Sequence, residues 1–360
     1  MTRALCLAVL LLVECFSGRV FAQEPERSGQ EAFIKRAAFA QQRLWLLADS
    51  GVLSSVADRG NERVIEPLPE RALDLCTQNG DPLVVTAPEG RGGRWTLRRW
   101  RAGKWQSELT ISRSREALLA LGCAAGRVTL LTSGRLIDVI AGAPKTLSLS
   151  VAMRSPAIAS IHSVGDQVYV GFNAGEWGGG LVRIDRRDGK LHRIESNVSG
   201  ELCGGPLNTG CDPVNGITDE PWSPGCVIAA VGLVHFLSHG RIVEVCGDIV
   251  KRLYFKPQDV DSRFGLDKNN ARKTDEPVST VAFFGVERVG SAVWAVGTDG
   301  LYRITQDGAG ERMPLPQFTD ADGVAVSFEV PDVVLVGTQV NQRRSVSGTV
   351  PMLVPREASR

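Results

Sequence analysis

Two long segments of the chain concentrate carboxylates and amides, the side chains whose oxygens bind hard cations. Segment 196–225 contains Asp212, Asn215, Asp219 and Glu220, and segment 247–277 contains Asp259, Asp261, Asp267, Asn269 and Asn270. Oxygen ligands carried on loops are those that Ca²⁺ uses. The stretch beginning at Asp259 nevertheless departs from a calcium loop, because Gly265 is misplaced and no glutamate closes it. Solvated loop charges are the default interpretation, with calcium as the alternative, and no cofactor is predicted.

Motifs of common hydrolases are missing from the sequence. It contains no G-x-S-x-G, H-E-x-x-H or phosphate-binding loop. The histidines show no periodic placement, so we expect structural or surface roles for His162, His192, His235 and His239. An acid–base pair such as Asp219 and Glu220 cannot be distinguished from solvent-facing charge without geometry. Enzymatic activity is left open, and a non-enzymatic role is favoured.

Residues 1–22 have the three parts of a secretory signal peptide. Arg3 is the positive residue, 4–13 is an apolar stretch, and Ala22 precedes the expected cleavage site. Cleavage there leaves 23–360, predicted to be one domain in the periplasm or outside the cell. A lipoprotein at Cys15 is the alternative, although Glu14 stands where a small residue is needed. No later run has the length of a membrane helix, so we expect no transmembrane anchor in the mature chain.

Export changes the interpretation of the cysteines. Six lie beyond the signal segment, and they are the disulfide candidates Cys76, Cys123, Cys203, Cys211, Cys226 and Cys246. An even number in an oxidising compartment favours disulfides over metal ligation. None lies in a C-x-x-C or C-x-x-H spacing, so a zinc site is not expected. The sequence does not select among the pairings.

The charge balance bears on the class of partner. The chain has 41 basic and 40 acidic residues and a formal net charge of +1. Such a chain has no global field to attract nucleic acid, so no nucleic-acid partner is predicted.

An internal repeat predicts the fold. Short apolar runs alternate with tight turns such as Ser-Gly, Asp-Gly and His-Gly, which is the pattern of β-hairpins. The first turn of each unit is placed near Gln41, Gly80, Gly126, Gly165, Gly232, Gly290 and Pro331. A period of about 40–45 residues with four strands per unit is typical of β-propellers. We therefore predict an all-β propeller of seven four-stranded blades, with a two-sheet sandwich as the alternative and one helix near 30–40. A strand from the mature N-terminal region is expected to complete the last blade.

Two units resemble a known repeat. VWAVGTDGLYRI, at 293–304, is similar to the repeat of two-component-regulator-type propellers, in which Trp, Gly-Thr and Gly-Leu-Tyr recur. VYVGFNAGEWGGGLVRID, at 168–185, is a looser copy. The resemblance implies a propeller fold. In that family the propeller is usually a sensor module joined to a membrane helix and a kinase, neither of which this sequence shows, so no signalling role and no catalytic residue is carried over.

Propeller geometry predicts where a site would lie. Turns between second and third strands open on the same face as the linkers between blades, and the longest loops are assigned there: 89–94, 173–180, and the insertions 196–225 and 247–277. Long loops in a compact fold are more often functional than accidental. The candidate ligand-binding residues are Glu176, Trp177, Asp212, Asp219, Glu220, Trp222, His239, Asp259 and Asp261.

Three hypotheses about function follow. The leading one is a binding or interaction module for a protein, glycan or small ligand on the loop-rich face, which predicts exposed apolar or aromatic residues there. The second is a calcium-assisted lactonase-like or lyase-like enzyme, which predicts carboxylates converging at the mouth of the central channel. The third is a structural subunit of an envelope assembly, which predicts an apolar patch on the side wall.

Overall fold

The computed structural model describes residues 34–355 except 58–62, 91–92, 114–115, 125, 154–157, 198–204, 236, 259–278, 315–320, 331–332 and 341–349. By internal contacts the chain divides into Met1–Glu31 and Ala32–Arg360, and the described residues all belong to the second unit.

The first three sheets each have four antiparallel strands that follow one another along the chain. Blade 1 consists of β1 (Ile34–Ala40), β2 (Arg43–Ala48), β3 (Leu53–Ala57) and β4 (Arg63–Ile65). Blade 2 consists of β5 (Arg71–Gln78), β6 (Asp81–Ala87), β7 (Arg94–Arg101) and β8 (Lys104–Ser112). Blade 3 consists of β9 (Leu118–Ala124), β10 (Arg127–Thr132), β11 (Arg135–Ile140) and β12 (Ala143–Ser148).

The next three sheets repeat this order. Blade 4 consists of β13 (Ile158–Val164), β14 (Gln167–Asn173), β15 (Gly179–Asp185) and β16 (Leu191–Ile194). Blade 5 consists of β17 (Val214–Asp219), β18 (Val227–His235), β19 (Leu237–Cys246) and β20 (Ile249–Tyr254). Blade 6 consists of β21 (Phe283–Val289), β22 (Ala292–Gly297), β23 (Gly300–Ile304) and β24 (Gly310–Pro314). The first strand of each blade lies beside the first strand of the next.

The prediction of seven four-stranded blades is wrong. The last sheet has three strands, β25 (Ala321–Val330), β26 (Val333–Val340) and β27 (Val350–Pro355), so the described strands form a propeller of six four-stranded blades and one three-stranded sheet. The physical reason is that the last repeat supplies only three β runs among the described residues. β25 lies beside β1, but β1 pairs with β2 in its own sheet. The expected closing strand falls on residues before 34, outside the described part of the chain.

Two local predictions also need correction. The helix predicted near 30–40 is β1 over Ile34–Ala40, because the ladder with β2 outweighs the helical preference of its alanines. The first turn of blade 5 is not at Gly232, which lies inside β18, but in the proline-containing segment 220–226. Strand β17 falls within the predicted insertion 196–225, and β20 falls within 247–277.

The hydrophobic core is divided into layers between neighbouring blades. One layer joins Leu83, Leu97 and Trp95 of blade 2 to Leu121 and Leu130 of blade 3, and equivalent layers lie between blades 1 and 2, 3 and 4, 4 and 5, and 5 and 6. Both faces of these sheets are covered, so the strands need not alternate strictly between apolar and polar residues.

Each of three second strands buries one large aromatic residue. Trp45, Tyr169 and Trp294 are buried on β2, β14 and β22. Trp45 packs edge-on against Trp100 and Trp105 of blade 2, with ring centroids 5.0 and 5.3 Å away. These three rings join the first two blades.

Disulfides add covalent joins to this packing. Cys76 of β5 bonds to Cys123 of β9 and so links blades 2 and 3. Cys226 bonds to Cys246 within blade 5. Cys211 is disulfide-bonded as well, and Cys203 lies outside the described residues. The expectation that these five cysteines form disulfides is confirmed.

The long hairpin of blade 5 crosses the backbone of blade 6. Gly232 of β18 is paired with Gly240 of β19, and both lie against residues 281–283. A Cβ atom on Gly232 would lie 2.3 Å from the backbone nitrogen and oxygen of Phe283, and one on Gly240 would lie 2.5 Å from the oxygen of Val281. Glycine is needed at both positions because the opposing atoms are backbone. Beyond this crossing the hairpin tip extends away from the blade.

Replacing Gly232 with alanine is expected to lower the free energy of unfolding by about 3 kcal/mol or more, because the added methyl group meets backbone that cannot turn aside. Guanidinium chloride unfolding measures this change. The control is Gly290→Ala, in the open β21–β22 turn, where a Cβ meets no atom within 4 Å and the positive φ of 61° is the main source of strain. That control should lose about 1–2 kcal/mol. Equal losses would contradict a tight crossing.

Candidate binding face

The turn between β14 and β15 presents a tryptophan on a folded loop. Residues Gly175–Trp177 form a single 3₁₀ turn. The N–H of Ala174 donates to the oxygen of Gly178 at 2.8 Å, and the N–H of Trp177 donates to the oxygen of Ala174 at 3.2 Å. The side chain of Trp177 is 80% exposed. The loop is therefore closed by its own backbone while its largest side chain projects into solvent.

The linker between blades 4 and 5 supports this loop. The N–H of Gly179 donates to the oxygen of Thr209 at 3.0 Å, and the N–H of Gly180 donates to the oxygen of Asp212 at 2.8 Å. The linker also holds the neighbouring hairpin, since the N–H of Gly232 donates to the oxygen of Pro213 at 3.2 Å.

Asp212 is the buried anchor of that linker. Its side chain is fully buried, and its Oδ2 accepts hydrogen bonds from Arg241 and, at 2.6 Å, from the N–H of Asn208. Its Oδ1 has no hydrogen-bond partner among the described residues, while Nε2 of His239 lies 3.5 Å away. The same nitrogen of His239 lies 3.2 Å from the oxygen of Cys211. The guanidinium of Arg241 also donates to the oxygen of Pro206, at 2.6 Å. Asp212 and Arg241 together therefore hold the linker, at Pro206, Asn208 and Asp212 itself, against strand β19.

The tip of the β18–β19 hairpin completes the surface. This hairpin lies beside the 3₁₀ turn, and Val234 near its tip is 52% exposed. Thr280, in the linker to blade 6, accepts a hydrogen bond from the N–H of Gly240 at 2.7 Å and donates its own N–H to the oxygen of Ser238 at 2.9 Å. We call loop 173–180, linker 205–213 and this hairpin tip the loop face, and Trp177 with Val234 its apolar rim.

The structure separates the predicted site residues. Trp177, Asp212 and His239 belong to the loop face, and the backbone of Glu176 belongs to its 3₁₀ turn. Because strands β17 and β18 run in opposite directions, Asp219, Glu220 and Trp222 lie at the opposite end of blade 5. Asp259 and Asp261 lie outside the described residues. Calcium stays the alternative that the sequence left open, and Asp212 and Asp219 cannot share one ion because strand β17, about 20 Å long, separates them.

On the opposite face, Glu220 lies in a cluster with Cys226, Glu244 and Cys246. Burial raises the pKa of Glu220, and the charge of Glu244 raises it further. Trp222 is half-buried, and its Nε1 donates to the oxygen of Ser291 in blade 6 at 3.0 Å. This tryptophan therefore joins two blades instead of presenting a free surface.

A third polar group lies on the first strands of blades 4, 5 and 6. Nε2 of His162 is 3.0 Å from Oδ1 of Asp219, and hydrogen bonding to His162 lowers the pKa of Asp219. Burial raises the pKa of the neighbouring Glu287, whose Oε1 accepts a hydrogen bond from Thr218 at 3.5 Å. Sequence reasoning missed Glu287. His162, Asp219 and Glu287 each lie near the end of the first strand of a blade. The repeat aligns these three positions, and that alignment was the signal available in the sequence.

Replacing Asp212 with alanine is expected to lower the free energy of unfolding by about 3–5 kcal/mol, because it leaves the nearly buried Arg241 without its carboxylate. Chemical denaturation measures the loss. Asp188→Asn is the control, since its pair with Lys190 is solvent-exposed and its removal should leave stability nearly unchanged. A loss no larger than that of the control would show that Asp212 does not anchor the linker.

Replacing Glu287 with glutamine is expected to raise the free energy of unfolding at pH 7 and to leave it nearly unchanged near pH 4. Burial raises the pKa of Glu287 in the folded protein, so its favourable contribution is complete below the unfolded pKa of about 4.3 and is lost as the pH rises through the folded value. Glutamine cannot ionise, so the variant does not lose this stability as the pH rises. Unfolding at the two pH values measures it, with the exposed Glu311→Gln as control. Destabilisation at pH 7 would mean that the ionised carboxylate is required beside His162.

No protein-family model matches the chain. The search of curated proteins found no match either. Among the described residues there is no helix with the length and apolar character that a membrane crossing requires.

Solved structures show similarity of fold. The designed Ika8 protein matches with a TM-score of 0.50 and 12% identity, covering 85% of this chain and 81% of that one. YCF48 from Cyanidioschyzon merolae matches with a TM-score of 0.50 and 13% identity, covering 85% and 92%. The extracellular domain of BT4673 from B. thetaiotaomicron matches with a TM-score of 0.48 and 14% identity, and the match spans 85% of this chain and 37% of that one. The expected propeller fold agrees with the described sheets and with the two matches of TM-score 0.50, and at these identities the similarities show the fold alone.

Proposed function

We propose that this protein is an exported propeller that acts as an interaction module and binds a partner protein through its loop face. The observation that carries the proposal is the apolar rim, where Trp177 is 80% exposed and Val234 is 52% exposed on adjoining elements. Tryptophan is enriched among the residues that supply most of the binding energy at protein interfaces. Export is supported by the disulfides, which form in oxidising compartments.

The turn and linker that lie beneath the apolar rim favour a binding role for the rim. The turn that carries Trp177 is hydrogen-bonded within itself, and linker 205–213 holds it in place. A side chain presented on such a support loses little conformational freedom when a partner covers it.

The shape and polarity of the rim favour a protein over a sugar or a small molecule. Small ligands bind in concave sites with a few converging polar groups, whereas the rim projects. The nearby amides are already engaged, since Asn173 donates to Asn215 at 2.7 Å and Asn215 donates to the oxygens of Gly232 and Phe283. They are therefore not free to recognise hydroxyl groups.

A cavity of about 580 Å³ lies elsewhere, between blades 2 and 3 on the opposite face. Its buried cation, Arg99, already donates to Glu108 at 2.6 Å and to the side chain of Gln78 at 2.7 Å. An anionic ligand would have to displace these partners, so the cavity does not favour a small-ligand function.

The other two hypotheses gain less support. The described candidate carboxylates lie at opposite ends of blade 5, so they do not form the convergent site that the enzyme hypothesis requires. An assembly subunit needs an apolar side wall, and exposed apolar residues on the outer strand β4 are Val64 and Ile65. Ile65, 70% exposed, therefore supplies a matched control for the rim.

The test is site-specific photocrosslinking in the source cells, followed by affinity measurement with the partner so identified. A photoreactive residue at position 177 is expected to capture one protein that the same residue at position 65 does not. Trp177→Ala should then weaken binding of the purified partner by about tenfold or more, and Ile65→Ser should leave it unchanged. Capture from position 65 instead would support the assembly hypothesis.

A second arm separates proteins from glycans. The purified protein is applied to a glycan array together with the Trp177→Ala variant. Glycan binding that is lost in the variant, without a protein captured at position 177, would overturn the proposal in favour of a glycan ligand.

A further inference from the structure

Four metal-ligating side chains meet at the end of blade 5 opposite the loop face. Strands β18 and β19 are paired so that Val227 lies opposite Val245, and continuing this ladder by one residue places Cys226 opposite Cys246. Glu244 is two residues before Cys246, so the two side chains share a face of β19. Glu220 is brought back to them because its N–H donates to the oxygen of Cys226 at 3.1 Å.

The ligand atoms of these four residues all lie within 4.8 Å of one another. Sγ of Cys246 is 3.2 Å from Oε1 of Glu244 and 3.9 Å from Oε2 of Glu220. Glu220 is 5% exposed, and the other three residues are half-buried. The cluster is therefore compact and still open to solvent on one side.

The disulfide between Cys226 and Cys246 does not account for the two carboxylates beside it. A disulfide carries no charge and offers no positive partner to Glu220 and Glu244. Lys251 lies opposite Glu244 on β20 and supplies one positive charge for the two negative ones. Cysteine thiolates and carboxylate oxygens are both ligands of Zn²⁺, which binds four ligands in tetrahedral geometry, and reduction of the disulfide would supply the two thiolates.

We propose that this cluster is a redox-gated zinc site, closed by the Cys226–Cys246 disulfide and able to bind one Zn²⁺ when that disulfide is reduced. A dithiol reductant transfers two electrons and two protons to the disulfide and becomes a disulfide itself. The two thiols then release two protons as their thiolates bind the ion, and the carboxylates of Glu220 and Glu244 complete the four ligands.

The disulfide-bonded state and the zinc-bound state would both join β18 to β19. The disulfide links the start of β18 to the end of β19 covalently, and the metal would link the same two positions together with segment 220–226. The proposal concerns the face opposite the apolar rim, so it stands independently of the proposed partner binding, and it requires a dithiol reductant in the compartment where the protein acts.

Zinc binding to the oxidised and the reduced protein tests the proposal. Titration of the dithiol-reduced, desalted protein with zinc chloride is expected to show one tightly bound ion that the oxidised protein does not bind. Replacement by Co²⁺ should give the thiolate-to-cobalt absorption of a tetrahedral site with two sulfur ligands. Equal zinc binding in both redox states would overturn the proposal.

Variants assign the ligands. Cys226→Ser/Cys246→Ser should lose the ion, while Cys76→Ser/Cys123→Ser removes the other described cysteine pair and should keep it. Glu220→Gln and Glu244→Gln retain the disulfide and should each weaken zinc binding to the reduced protein by about tenfold or more, since even residues that only orient metal ligands contribute that much. Unchanged affinity in both glutamine variants would overturn the ligand set, and circular dichroism shows whether each variant is folded.

Discussion

The constraint on which this protein depends is that each small sheet has two apolar faces and cannot cover either by itself. The neighbouring blade supplies the cover, so the core consists of successive layers between blades. Each layer removes apolar surface from water, and this is the main favourable contribution to folding. Trp45, Trp100 and Trp105 show how far a layer depends on two blades at once, because no one sheet supplies all three rings.

A second requirement follows at the first strand of every blade, whose inner edge has no partner in its own sheet. At two of these edges, a side chain of the neighbouring blade accepts a hydrogen bond from the free backbone N–H. Asp74 of β5 accepts the N–H of Leu121 at 2.9 Å and also pairs with Arg36 of β1, while Thr218 of β17 accepts the N–H of Arg288 at 3.0 Å. Buried backbone groups need such partners. Asp74 and Thr218 therefore have structural roles, as partners of backbone groups on the next blade.

The residues available for function are those at the strand ends and in the loops, outside the apolar layers between blades. Blade 5 shows this most clearly, because its hairpin is extended beyond the blade at one end and its cysteines and glutamates gather at the other. The two ends are separated by the length of the strands, so the proposed binding surface and the proposed zinc site lie on one blade without sharing residues. Asp212 pairs with Arg241 and so fixes the linker on which the Trp177 turn rests.

The sequence by itself determined the all-β class, the repeat and most of the turns, because these depend on local alternation and on glycine or polar pairs that neighbours in the chain decide. The number of complete blades and the first turn of blade 5 did not follow, since they depend on pairing between distant strands. Only the tertiary structure decided that Glu220 belongs with Cys226 and Cys246 while Asp212 belongs with Arg241, because antiparallel strands carry residues that are close in sequence to opposite faces of the molecule.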